Sequence, residues 1–137
     1  MENEIVVSKL DYSRLNRMIL NLLEKSGSNL YDLNRLNMEI KRARLVDPRR
    51  IDPEGVTMNS VVRLRFRRTG LTTIVKLVYP PDAGTEPGYI SVLSPLGCAL
   101  LGYRKGQSFP YKSPEGVETA VIDKILYQPE ANGRDLD

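Results

Sequence analysis

The side chains able to do chemistry fall into three groups, and carboxylates come first because a hard cation such as Mg²⁺ needs oxygen ligands. Glu24 and Asp32 flank Lys25-Ser26-Gly27-Ser28, a stretch with turn composition, and Glu130, Asp135 and Asp137 gather near the C-terminus. Lys25 sits beside Glu24, and Asp32 suits a first helical turn, where an acid favours the helix dipole. The terminal acids read as a solubilising tail. Neither set predicts a metal site. The second group is Arg63, Arg65, Arg67 and Arg68. Alternation places the first three on one face of a strand, a basic stripe that can meet an acidic protein surface or make a weak nucleic-acid contact. No aromatics interleave with it as on a single-strand-binding platform, and a solvated outer face is the simpler reading. Arg49 and Arg50 add charge between the first third of the chain and the rest. The third group is Ser94-Pro95-Leu96-Gly97, the opening of a short apolar run.

What is missing restricts the chemistry further. The chain has no histidine and one cysteine, so the commonest general base is absent and no zinc site or Cys–His pair can be assembled within it. Cys98 lies among Ala99, Leu100 and Leu101, which reads as a buried structural thiol rather than a nucleophile. Gly84, Gly88, Gly97 and Gly102 are spaced for turns and caps, not for cradling a phosphate. The sequence therefore predicts a protein with no catalytic residue, no cofactor and no metal.

The elements that must position these groups change period midway. Asp11 suits the N-cap of a helix running to about Lys25, with Tyr12, Leu15, Ile19 and Leu22 on one face. Gly27 suits its C-terminal position. A second helix is predicted from Asn29, with Leu33, Leu36, Ile40 and Ala43 repeating the three-four spacing and Pro48 marking the end. Ile5-Val6-Val7 reads equally as an extended segment or as part of the first helix. From Val56 the period is two. Val62, Leu64 and Phe66 alternate with the arginines, Thr72 to Val78 forms the next strand, and Tyr89 to Leu93 another. Ser94 then caps a short helix, Pro95 takes its first position and Gly102 its left-handed exit. Ser108 to Tyr111 contains Pro110 and fits an edge strand. Glu118 to Tyr127 is the last long strand, and the polar tail from about residue 129 is predicted to be poorly ordered.

The pattern predicts an α+β fold: a short antiparallel helical hairpin over residues 1–47 and a mostly antiparallel β domain with one short helix over 48–137. The net charge of +3 is unevenly spread. Residues 48–79 carry seven basic and two acidic groups, whereas residues 80–137 carry five and eight. No run approaches the roughly 18 apolar residues of a membrane span and no leader opens the chain, so a cytoplasmic, monomeric protein with no membrane partner is expected.

Four stretches in order carry a resemblance: Val56-Thr57-Met58-Asn59-Ser60, Leu77-Val78-Tyr79-Pro80-Pro81, the run Ser94 to Gly102, and Tyr127-Gln128-Pro129-Glu130-Ala131. Together they resemble the Gre transcription elongation factor superfamily, in its Rnk branch of regulators of nucleoside diphosphate kinase. The resemblance implies a coiled-coil finger on an FKBP-like domain, with RNA polymerase as partner. It also implies that Ser94, Pro95, Leu96 and Gly97 belong to the polymerase-facing surface near the secondary channel. Gre factors present paired acids at a longer finger's tip. Here the tip reads Lys25, Ser26, Gly27 and Ser28, and a helix of about fifteen residues reaches only about 22 Å. The expectation is a non-enzymatic regulator that competes with Gre-type factors. A stimulator of transcript cleavage is the alternative, and a peptidyl-prolyl isomerase is a third reading that rests on the implied fold alone.

Overall fold

A computed structural model describes residues 4–25 and 30–137. Strand β1 (Val6–Ser8) runs directly into helix α1 (Lys9–Leu23), so Ile5 to Val7 belong to an extended entry rather than to the helix. The cap is Ser8, not Asp11: Ser8 Oγ accepts the Asp11 N–H at 3.0 Å. Pairing in β1 holds Ser8 extended, at φ −69° and ψ 150°, which starts the helix earlier than the acid suggested. Asp11, freed from capping, turns into the protein.

Helix α2 (Leu30–Lys41) returns antiparallel to α1, since Lys41 Nζ near its end donates to Tyr12 Oη (2.8 Å) and Asn16 Oδ1 (3.0 Å) near the start of α1. Leu15, Ile19, Leu33, Leu36 and Ile40 are buried between them and the sheet, as their spacing predicts. The helix does not run on towards Pro48: it ends at Lys41, so Ala43 lies outside it, because the chain turns there to pair as a strand. Strand β2 (Arg44–Val46) pairs parallel with β1, Val6 opposite Arg44 and Ser8 opposite Val46.

The main sheet has five strands: β3 (Val61–Phe66), β4 (Thr72–Val78), β5 (Tyr89–Ser91), β6 (Ser108–Ser113) and β7 (Gly116–Tyr127). Their spatial order is β5-β4-β3-β7-β6, antiparallel throughout except for the parallel β4–β5 pair. Pro110 lies on edge strand β6, where its missing N–H costs no central hydrogen bond. Register shifts near Val61 and Arg63 curl the long β7 against β3. Helix α3 (Pro95–Leu100) packs on the core side, where Cys98 and Leu100 join Val62, Leu64, Leu77, Phe109 and Ile122. Burying each of these large apolar side chains contributes about 1.5–3 kcal/mol before entropy is counted.

The tail corrects a second expectation. It is packed, not frayed: a 3-10 turn spans Glu130–Asn132, and Arg14 pairs with Asp135 at 3.3 Å. Just before it, Gln128 Nε2 donates to the carbonyls of Asp52 (2.7 Å) and Gly55 (2.8 Å), so Gln128 and Glu130 are buried polar groups, whereas residues 131–134 are exposed.

Candidate functional site

Three groups cooperate in the corner between β5 and α3. Ser94 Oγ accepts the Gly97 N–H at 3.0 Å and donates to the Ser91 carbonyl at 2.7 Å, so one hydroxyl caps the helix and closes the preceding turn. Pro95 occupies the first helical position, and Gly102 takes the left-handed exit at φ +88°. Gly97 is buried: a Cβ there would lie 2.0 Å from the Ser91 carbonyl oxygen, closer than any real contact. Its place in the set is therefore to seat the helix against its own entry turn. Ser94, Pro95 and Leu96 remain half-exposed.

Helix α2 is bolted to this corner. Arg35 Nη2 donates to the Leu93 carbonyl at 2.6 Å and to Asp32 Oδ1 at 2.9 Å, while its guanidinium lies over the Tyr31 ring. On one side of Pro95 a shallow groove runs between Tyr31 and Met38 of α2 and Tyr111 of β6. On the other, a second groove is lined by Leu96, Tyr111 and Pro114. Tyr31 and Met38 are 65% and 70% exposed. Sequence reasoning missed Tyr31, Met38 and Tyr111 as neighbours of the corner. Its available signal was the large apolar residues standing off the buried stripe of α2. The surface is suited to holding a protein partner. Its thiol, Cys98, is held protonated, since burial pushes it up to about 11 despite the nearby Arg35.

The other predicted residues lie elsewhere. Only Arg63 and Arg65 share the outer face of β3, opposite the buried Val62 and Leu64; the strand ends at Phe66, so Arg67 and Arg68 lie in the exposed turn that follows and do not continue the stripe, and two of the four arginines are already paired. Arg63 Nε donates to Asp123 at 2.8 Å, and Arg68 pairs with Glu118 and with Glu115. Arg65 and Arg67 take no ion pair among the described residues. Lys25 is exposed just beyond α1, and Ser26, Gly27 and Ser28 lie outside the described residues. Asp32 is committed to Arg35, and no cluster of metal-binding type occurs among the described residues. A further hollow beside β1 and β2 is lined by Lys9, Arg44, Arg50 and Arg104, but Arg104 pairs with Asp52 and Arg44 with Glu4. No described helix is long and apolar enough to cross a membrane.

Comparison with known proteins gives this geometry its context. Residues 38–127 match the family model "Transcription elongation factor, GreA/GreB, C-term", and residues 3–46 match "Rnk N-terminus". Over 130 residues the chain is 35% identical to the "Regulator of nucleoside diphosphate kinase" of Escherichia coli K12, covering 94% of this chain and 93% of that protein. It is 35% identical over 81 residues to the "Transcription elongation factor GreA" of Syntrophobacter fumaroxidans, covering 59% of this chain and 52% of that one. Among solved structures, "Prokaryotic transcription elongation factor GreA/GreB from Nitrosomonas europaea" aligns with a TM-score of 0.73 at 36% identity, over 90% of this chain and all of that one.

Proposed function

Because the chain belongs to the GreA/GreB family, in its Rnk branch, we propose that it is a non-enzymatic transcription regulator that binds RNA polymerase near the secondary channel. Residues 48–137 would dock as an FKBP-like unit, and residues 1–47 would stand at the channel entrance as a short hairpin. While bound, the protein would exclude longer Gre-type factors. Any effect on nucleoside diphosphate kinase would then be indirect, through expression. The observation that carries this reading is the half-exposed Ser94-Pro95-Leu96 corner, set between two open grooves and fixed to α2 through Arg35.

Stimulation of transcript cleavage is the weaker reading, because it needs two free carboxylates at the end of the helices and Asp32 is held by Arg35. An isomerase has no supporting feature beyond the expected fold. The test is capture of core RNA polymerase by the purified protein, with a Gre factor as competitor and with Pro95→Ala/Leu96→Asp as the variant. Capture that the competitor displaces and the folded variant loses by tenfold or more supports the proposal. Undiminished capture by the variant would rule out the corner as the interface.

A further inference from the structure

Three of the four motifs quoted from the sequence meet at one buried place, remote in sequence from the Ser94 corner. Thr57 to Ser60 form a tight turn. Thr57 N–H donates to Ser60 Oγ (2.9 Å), Ser60 N–H donates back to the Thr57 carbonyl (3.1 Å), and Asn59 takes a left-handed φ of 67°. This aims the Met58 N–H at Asp11 Oδ2 of α1, 3.1 Å away. From the tail, Glu130 Oε1 accepts the Thr57 hydroxyl at 2.8 Å. Asp11 is 1% exposed and Glu130 7%.

Each carboxyl thus uses one oxygen and leaves the other unanswered. Asp11 Oδ1 and Glu130 Oε2 have no partner, nor do Tyr79 Oη and Gln128 Oε1. The charges acting on the pair are Arg14 from α1 and Asp135 from the tail, and Arg14 is drawn to Asp135 rather than to either buried acid. A buried carboxylate oxygen without a donor is costly. A proton placed on it removes the charge and converts an orphan acceptor into a donor, and the unanswered Tyr79 hydroxyl lies near enough to Asp11 to feel its charge.

We propose that Asp11 and Glu130 form a proton-binding site that fastens the C-terminal segment 129–137 to the root of α1 and to the 57–60 turn, and that the fastening gives way when both acids ionise. The direction follows from burial. Loss of solvation, with the Glu130 charge adding to it, pushes the Asp11 carboxyl up to about 7, and burial raises Glu130 as well. Burial also keeps the Tyr79 hydroxyl protonated, above its ordinary range. The folded state therefore holds protons that the unfolded chain releases, so the hold is complete below the ordinary carboxylate range, weakens as the pH rises above it, and has been lost once Asp11 ionises at about pH 7. This inference is independent of the polymerase reading.

The experiment is hydrogen exchange of the full chain between pH 5.5 and 8.5, corrected for intrinsic rates, reading the Gly133 and Arg134 amides that bond to Glu130 and Pro129. Carbon-13 titration of the Asp11 carboxyl accompanies it. We expect protection of the tail to fall at least tenfold as the pH rises from 5.5 and to level off above about pH 7, the Asp11 carboxyl to titrate near that upper end, and the fall to vanish in Asp11→Asn. Asp135→Asn, which removes the surface pair with Arg14 and one of the negative charges acting on the acids, moves the fall to lower pH but keeps it. An Asp11 carboxyl that titrates below pH 5, tail protection independent of pH, or a fall lost in Asp135→Asn would each overturn the proposal. The wild-type titration decides the matter even where Asp11→Asn fails to fold.

Discussion

The Ser94 corner and the Asp11–Glu130 cluster satisfy buried polar groups in opposite ways. At the corner the capping bonds span a few residues: Ser94 reaches Ser91 and Gly97, the helix is capped by its own flanking sequence, and Arg35 adds a single long-range bond to the Leu93 carbonyl. In the cluster, Asp11 meets a backbone group 47 residues on, and Thr57 meets an acid 73 residues on. The cap at the corner is locally complete, and Ser94, Pro95 and Leu96 stay half-exposed around it. The cluster is complete only when the whole chain is folded, and its unanswered oxygens then face inward. Local closure gives a surface; long-range closure gives a joint.

Substitutions can break or sharpen this contrast, and the largest effect is expected at Gly97. Gly97→Ala drives a methyl group into the Ser91 carbonyl and should cost about 3 kcal/mol or more, read as a lower urea midpoint, because overpacking against backbone cannot relax. Thr57→Val leaves Glu130 Oε1 without its donor and should cost about 1–3 kcal/mol. The loss should be smaller at pH 5 than at pH 8, since a protonated Glu130 has less need of a donor. A loss that does not vary with pH would argue that the acid stays ionised. Ser94→Ala should cost about 1 kcal/mol, the usual worth of an N-cap, at every pH. Stability that varied with pH more in this variant than in the wild type would blur the distinction between the regions. Arg63→Ala removes a half-exposed pair with Asp123 and should cost less than about 1 kcal/mol, a thermal shift that added salt largely abolishes.

The same contrast explains what could be read in advance. Pro95 and Gly102 announced α3 because caps act over three or four residues, and β4 was placed at Thr72–Val78 because alternation is local too. Strands β1 and β2 were not legible as a pair, since each has three residues and nothing in either fixes a partner across two helices. Asp11 was read as a cap because its composition suits one, while the Met58 N–H that takes it lies far along the chain. Glu130 was read as a solvated tail acid for the same reason. At the candidate surface, Ser94, Pro95 and Leu96 stood out by motif, whereas Tyr31, Met38 and Tyr111 became neighbours of the corner only through packing of α2 and β6 against α3.

The order of strands carries a consequence for how the protein is made. Strand β7, the last to be synthesised, does not lie at the sheet's margin but is inserted between β3 and β6. A ribosome that has released everything up to Ser113 has delivered four strands, yet β6 still has no neighbour and the inner edge of β3 is open. Chains normally fold as domains while synthesis proceeds. This sheet must instead wait for its final strand, and an interrupted message yields an open edge exposed to aggregation and proteolysis, not a smaller working protein.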